Sequence, residues 1–82
     1  MTINSIFSEA ILSILKKEGP LNTIEIHPII QSMYPDKCDD SIDRVINGKH
    51  YGKKWRHSVR NAQKSLKKKG LIYLEGGKWY IT

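Results

Sequence analysis

The sequence predicts an α+β domain in which three to four helices precede a C-terminal β-hairpin. Apolar residues recur every three or four positions near the N-terminus and again in residues 54–69, which is the spacing of amphipathic helices. In residues 71–82, apolar and polar residues alternate on either side of a glycine pair, which is typical of a hairpin. A chain of 82 residues has room for one domain, so residues 1–82 are predicted to fold as a unit.

The first helix is indicated by a continuous apolar face. Lys16 and Lys17 lie in its predicted last turn, where cations interact favourably with the helix dipole, and Gly19-Pro20 ends it. The residues of the apolar face are Ile3, Ile6, Phe7, Ala10, Ile11, Ile14 and Leu15.

A second helix follows an extended link at residues 21–22. Thr23 is predicted to cap this helix, which ends at residues 34–35. Its apolar residues are Ile24, Ile26, Ile29, Ile30 and Met33. Pro28 lies just past the first turn and removes one helical hydrogen bond, so either the helix bends or it begins nearer His27.

The middle of the chain is predicted to contain a turn, a short helix and a loop. Residues 36–40 are polar, and the spacing of the apolar residues in 41–47 predicts one or two helical turns. Those apolar residues are Ile42, Val45 and Ile46. Two glycines then predict a loop over residues 48–54.

A basic helix is predicted from residue 53 or 54 to residue 69, and Gly70 ends it. Its inward stripe comprises Trp55, Val59, Ala62 and Leu66. Residues 44–69 contain ten Lys and Arg side chains and no Asp or Glu, and the whole chain has a formal net charge of +6. Because one stripe can be buried while the cations face outward, this segment indicates a nucleic-acid-binding surface.

The predicted element order is that of a winged helix-turn-helix. In this fold the third helix enters the DNA major groove and the hairpin, the wing, contacts the flanking backbone. We therefore expect double-stranded DNA as the partner, with helix 53–69 in the groove and wing 71–82 beside it. An arginine side chain can hydrogen-bond to the edge of guanine, and an asparagine side chain to the edge of adenine. The predicted base-reading residues are His57, Arg60 and Asn61. The predicted phosphate-binding residues are Lys53, Lys54, Arg56, Lys64 and Lys78.

Other side chains of the basic region have two interpretations. Tyr51 either contacts DNA or covers the helix, and the lysine triplet 67–69 either binds phosphate or compensates the helix dipole. Trp55 and Trp79 are predicted to be core residues, because each follows the inward periodicity of its element. The alternative for the whole basic face is a solvated surface that confers solubility.

Catalytic and metal-dependent functions are not predicted. Cys38 has no second cysteine to pair with and no zinc-finger pattern around it, and the three histidines are separated from it and from one another. The acidic residues of segment 36–43 lack the glycine and terminal glutamate of a calcium loop. We therefore expect a domain that is not an enzyme and that needs no cofactor or metal.

The sequence also predicts where the protein is found. No apolar stretch approaches the roughly 20 residues that span a bilayer, and no targeting pattern is present, so we expect no membrane partner. A single cysteine and a basic composition favour a cytoplasmic, nucleoid-associated protein. A monomer is favoured because the sequence has no heptad seam.

Two families resemble this chain. The segment Trp55-Arg56-His57-Ser58-Val59-Arg60-Asn61 resembles the forkhead recognition helix over about a dozen residues, since a tryptophan there is followed by Asn-Ser-Ile-Arg-His. The resemblance implies base reading by His57 and Asn61, in exchanged order, and places Arg60 on the family's arginine. The rest of the chain departs from forkheads, with a different first helix and no second wing.

A longer resemblance covers residues 54–82. The tryptophan, the Val-Arg pair, Leu-Lys-Lys-x-Gly-Leu-Ile and the closing Gly-x-Trp-Tyr-Ile-Thr are similar to winged helices attached to modification-dependent and Mrr-type restriction enzymes. This resemblance implies a DNA reader, in some cases of methylated bases, whose nuclease is a separate domain. The alternatives are a winged-helix domain that docks an acidic protein and a small transcriptional regulator.

Overall fold

The computed structural model describes residues 2–82, which form three α-helices and two antiparallel two-stranded sheets. The elements in chain order are α1 (Ile3–Glu18), α2 (Thr23–Met33), β1 (Asp43–Ile46), β2 (Lys49–Lys53), α3 (Lys54–Lys68), β3 (Ile72–Glu75) and β4 (Lys78–Ile81). The predicted α+β class is confirmed, with three helices.

Helix α1 lies where the sequence predicts it. The hydroxyl of Thr2 accepts a hydrogen bond from the backbone N–H of Ser5 at 3.2 Å and so caps the helix. At the other end the N–H of Gly19 donates to the carbonyl of Leu15 at 3.0 Å. The predicted apolar face is buried from Phe7 onward, so α1 supplies one wall of the core.

The N-cap of α2 is Asn22, so the predicted cap at Thr23 is wrong by one residue. The amide oxygen of Asn22 accepts from the backbone N–H of Glu25 at 2.8 Å, and the Glu25 carboxylate accepts from the N–H of Asn22 at 3.2 Å. This reciprocal pair is a capping box. It fixes the start of the helix, because two backbone donors that the first turn leaves unpaired are both satisfied.

Proline 28 lies inside α2, and the alternative start near His27 is therefore wrong. A proline at this position has no N–H to donate to the carbonyl of Ile24, four residues earlier. Ile24 is 80% exposed, so water can reach this part of the helix. The helix consequently continues through Pro28 to Met33.

The short helix predicted over residues 41–47 and the loop predicted over residues 48–54 are both wrong. These residues form the antiparallel hairpin β1–β2, in which Val45 pairs with His50 and Ile46 with Lys49. The register is irregular near Asp43, where a bulge shifts the pairing. Most side chains of this hairpin are exposed.

A turn-forming pair explains the hairpin. Asn47 has a φ of 52° and Gly48 a φ of 78°, so both have the left-handed conformation that the tight turn between right-twisted strands requires. Asparagine and glycine adopt this conformation more readily than other residues. The β-branched residues before the turn then extend as a strand, although their spacing also fits a helix.

Helix α3 matches the predicted basic helix. Its inward stripe, headed by Trp55, is buried, and the helix packs mainly against α1. Gln63 is buried as well. The prediction that Trp55 belongs to the core is confirmed, since its side chain is 3% exposed.

The predicted C-terminal hairpin is also confirmed. Strands β3 and β4 pair in an unbroken register from Ile72 opposite Ile81 to Glu75 opposite Lys78. Trp79 is buried as predicted, and an isolated bridge joins its backbone to Leu21, whose carbonyl accepts from the Trp79 N–H at 2.8 Å. The link between α1 and α2 is thereby held against the last strand.

Candidate nucleic-acid interface

Helix α3 separates apolar and basic side chains onto different faces. The buried residues are Trp55, Val59, Ala62, Gln63 and Leu66. The exposed residues are Lys54, Arg56, Arg60, Asn61, Lys64, Lys67 and Lys68. No acidic residue interrupts the helix. The structure therefore places the predicted Arg60, Asn61 and Lys64 together on one exposed, positively charged surface.

His57, a predicted base-reading residue, is engaged inside the protein by both ring nitrogens. Nδ1 is 3.2 Å from Nη1 of Arg44, and Nε2 contacts the backbone carbonyl of Tyr51. A guanidinium can only donate and a carbonyl can only accept. These roles fit the tautomer in which Nδ1 accepts from Arg44 and Nε2–H donates to the carbonyl. The ring thereby joins β1 and β2 to the first turn of α3.

Lys53, a predicted phosphate-binding residue, already has an anionic neighbour. Its ammonium is 3.7 Å from a carboxylate oxygen of Asp43, and the other Asp43 oxygen is 3.1 Å from Nδ1 of His50. The ion pair is solvent-accessible and contributes little to stability. It nevertheless neutralises part of the positive charge at the base of the first hairpin.

The other predicted phosphate-binding residues are exposed. The guanidinium carbon of Arg56 lies 5.5 Å from the ring centroid of Trp55, which orients it over the aromatic face. Lys54 begins α3 at the same end. Lys78 lies at the turn of the second hairpin, opposite Glu75. Lys54 and Arg56 therefore lie at the N-terminal end of α3, and Lys78 lies on the second hairpin.

Tyr51 is 47% exposed on strand β2. The ammonium of Lys49 lies 5.9 Å from its ring centroid. The ring is therefore accessible, and contact of Tyr51 with DNA stays a prediction.

Asp40 connects the acidic turn to two helices. Its carboxylate accepts from the indole N–H of Trp55 at 2.7 Å and from the amide of Gln31 at 3.0 Å. These hydrogen bonds hold the pKa of Asp40 below its usual value. Sequence reasoning missed this contact, because the two donors lie nine and fifteen residues away in the chain.

His27 is buried beneath the start of α3. Its ring makes an edge-on contact with Trp55, with centroids 5.4 Å apart, and its Nε2 has no hydrogen-bond partner. Burial, followed by the charges of Arg56 and Arg60, lowers the pKa of His27 from 6.5 to about 4. The imidazole is therefore neutral at physiological pH and adds no positive charge to the basic face of α3.

Within residues 2–82, no group of three or more His, Cys, Asp or Glu side chains could hold a metal ion. Burial of Cys38, together with the charges of Asp40 and Asp36, raises the pKa of its thiol to about 11. The thiol is consequently protonated at neutral pH and is a poor nucleophile.

No helix in the described part of the chain is long and apolar enough to cross a membrane. Comparison with models of protein families, with curated proteins and with solved structures gives no match.

Sequence reasoning also missed two cations of the first hairpin, Arg44 and Lys49. Both belong to the basic segment 44–69, but neither is among the predicted DNA contacts, because residues 41–47 were predicted to be helical and residues 48–54 to be a loop. The signal that could have placed them is Asn47-Gly48, the strongest short-range indication of a two-residue hairpin turn.

Proposed function

We propose that this chain is a winged-helix module that binds double-stranded DNA, with α3 in the major groove and the hairpin β3–β4 as the wing. The observation that carries the proposal is the exposed face of α3, which has six cations and one amide and no acidic residue. The helix is 15 residues, or about 22 Å, long. The major groove, roughly 12 Å wide, admits one such helix.

Two exposed side chains of α3 suit base reading. Arg60 can donate two hydrogen bonds to the O6 and N7 atoms of guanine, and the Asn61 amide matches the N6 and N7 edge of adenine. His57 would first have to give up its hydrogen bonds to Arg44 and Tyr51. We therefore assign His57 to positioning the first hairpin, and base reading to Arg60 and Asn61.

Phosphate contacts come from the cations around these two residues. Lys54 and Arg56 lie at the start of α3 and Lys64 lies one turn beyond Arg60. Lys78, at the turn of the second hairpin, would supply the phosphate contact of the wing. Lys53 contributes less to phosphate binding because Asp43 already neutralises it. Such contacts fix the register of the protein on DNA and carry no sequence information directly.

A role in reading modified bases, implied by the resemblance to restriction-type winged helices, belongs to the same proposal. Trp55 is buried and donates to Asp40, so it cannot stack on a base without leaving the core. Tyr51 is exposed and free to do so. Equal affinity for matched methylated and unmethylated duplexes would contradict this part of the proposal.

The test is fluorescence anisotropy with short DNA duplexes over a range of salt concentrations. Arg60→Ala is expected to flatten sequence preference by about 1–3 kcal/mol, because a base contact is lost. Lys64→Ala is expected to weaken binding to all sequences and to lower the salt slope by about one, because one phosphate contact is lost.

Lys16→Ala is the matched control, since Lys16 is an exposed lysine on α1, which packs on the inward face of α3. Its affinity and salt slope should equal those of the wild type. An acidic polymer, polyglutamate, serves as the competing ligand. Absence of DNA binding at low salt, or equal binding to polyglutamate, would contradict the proposal and favour an acidic protein partner.

A further inference from the structure

The hairpin β1–β2 is coupled to the start of the proposed recognition helix. The N–H of Lys54, the first residue of α3, donates to the carbonyl of Ile42 at 2.9 Å. The ring of His57 binds Arg44 on β1 and the Tyr51 carbonyl on β2. These contacts join both strands to the first turn of α3, so the hairpin and the helix should move together.

Strand register places a distinctive set of side chains on one face of this hairpin. Ile46 is directly opposite Lys49, and side chains two residues apart on a strand share a face. Arg44 therefore lies on the face of Ile46, and Tyr51 on that of Lys49. Ile46 is 42% exposed.

The charge of this face is positive near the tip. Lys53 is balanced by Asp43 at the base of the hairpin. Arg44 has the ring of His57, and not a carboxylate, as its partner, and it keeps both its charge and its remaining N–H donors. Lys49 lies over the Tyr51 ring and has no acidic neighbour across the strand pair. The cations without an anionic partner are therefore Arg44 and Lys49, and their charge complements that of a phosphate backbone.

The strands are long enough to reach the next groove. Strands of four and five residues extend roughly 13–17 Å at about 3.3 Å per residue. The groove that borders a major-groove site across one phosphate strand is the minor groove. Its width of roughly 6 Å admits side chains rather than a two-stranded ribbon.

We propose that the tip of the β1–β2 hairpin lies over the minor groove beside the α3 site and inserts side chains into it. Ile46 packs against sugars and base edges, Asn47 and Lys49 face the groove, and Arg44 contacts the phosphates at its edge. An aliphatic wedge with an amide and cations is the combination by which proteins engage this groove. The inference rests on the proposed function, since it assumes that α3 binds the neighbouring major groove.

The test compares two short duplexes of one mixed sequence, one of them with inosine in place of every guanine. This change removes the guanine N2 amino group from the minor groove and leaves the major-groove edge unchanged. The wild type is expected to bind the inosine duplex more tightly, by roughly tenfold. Ile46→Ser/Lys49→Gln is expected to lose most of that preference, and its salt slope should fall by about one.

The matched control is Lys16→Gln/Met33→Ser, which also removes one lysine and one exposed apolar side chain. Lys16 lies on α1 and Met33 is the last residue of α2, and neither belongs to the proposed DNA contacts. The control should keep the inosine preference and the salt slope. Circular dichroism of both double variants verifies that the fold is retained.

The outcomes separate this inference from the proposed function. Failure of the wild type to bind either duplex would overturn both. Wild-type binding without inosine preference, or a preference that survives in Ile46→Ser/Lys49→Gln, would overturn the minor-groove contact alone. Loss of the preference in the hairpin variant but not in the control supports it.

Discussion

At the scale of single residues, folding lowers the pKa of His27. Its side chain is 8% exposed, and burial lowers its pKa from 6.5 to about 4. Between these values the unfolded chain binds more protons than the folded chain, so stability falls as the pH falls from 6.5 towards 4. At about 1.4 kcal/mol per pKa unit, the loss is up to about 3 kcal/mol.

Urea unfolding of the wild type and His27→Gln at pH 7, 5.5 and 4.5 tests this prediction. Glutamine is neutral at every pH, so the variant should lose less stability than the wild type over this range. Hydrogen bonds lower the pKa values of Asp39 and Asp40, so these two carboxyl groups titrate mainly below this pH range. Parallel pH profiles for the two proteins would show that His27 is not responsible.

His57 and Asp40 show what sequence reasoning misses at this scale. Residue type and helical spacing correctly placed Arg60, Asn61 and Lys64 on an exposed face. The same spacing cannot reveal that both nitrogens of His57 are bonded to the preceding hairpin, or that Asp40 accepts from Trp55. Such contacts depend on segments that meet only after folding.

At the scale of elements, the first hairpin depends on its turn. Gly48→Val is expected to cost about 1–2 kcal/mol, because a β-branched residue is strained at a φ of 78°. The penalty should fall on the hairpin, since a two-stranded hairpin with few buried side chains is marginally stable. The core contains no residue of β1 or β2, so it should unfold at nearly the same temperature as in the wild type.

Amide hydrogen exchange is the measurement for this prediction. Exchange in β1 and β2 should accelerate in Gly48→Val while exchange in α1 and α3 remains slow. Asn47→Gly is the control, because glycine also adopts positive φ, and it should keep the hairpin protected. Uniform acceleration throughout the chain would instead show that the hairpin is part of the core.

The elements differ in how far the sequence determines them. The helices α1 and α3 are long and strongly periodic, and the C-terminal strands flank a glycine pair, so all were predicted with small boundary errors. Residues 41–47 have only three apolar side chains, which fit a helix or a strand equally well. Only the turn at Asn47-Gly48 distinguishes the two, and its effect depends on pairing with residues 49–53.

At the scale of the whole molecule, the chain is slightly elongated. The radius of gyration is 12.7 Å and the longest dimension 38 Å, whereas a compact chain of this length has a radius of gyration of roughly 12 Å. The hairpins join opposite ends of α3, one ending where the helix begins and the other starting just after its end. The proposed DNA-binding surface on α3 can therefore include residues from the elements on either side of the helix.

The concentration of charge on one side of the molecule also predicts how salt affects the free protein. Lys64 lies four residues from both Arg60 and Lys68, and like charges at this spacing destabilise a helix. Between about 0.1 M and 1 M NaCl the Debye length falls from roughly 10 Å to 3 Å, which screens the repulsion. The melting temperature should therefore rise over this range, whereas the affinity for DNA that the proposed function implies should fall.

Thermal unfolding of the wild type, Lys64→Gln and Lys16→Gln across this salt range tests the prediction. Lys64→Gln removes both repulsive pairs, so its melting temperature should exceed that of the wild type at low salt and rise less on adding NaCl. A gain of 1 kcal/mol corresponds to roughly 4–8 °C for a domain of this size. Lys16→Gln removes the same charge from α1 and should keep the wild-type salt dependence. If both variants responded alike, net charge alone would be responsible, and the repulsion would not be specific to the exposed face of α3.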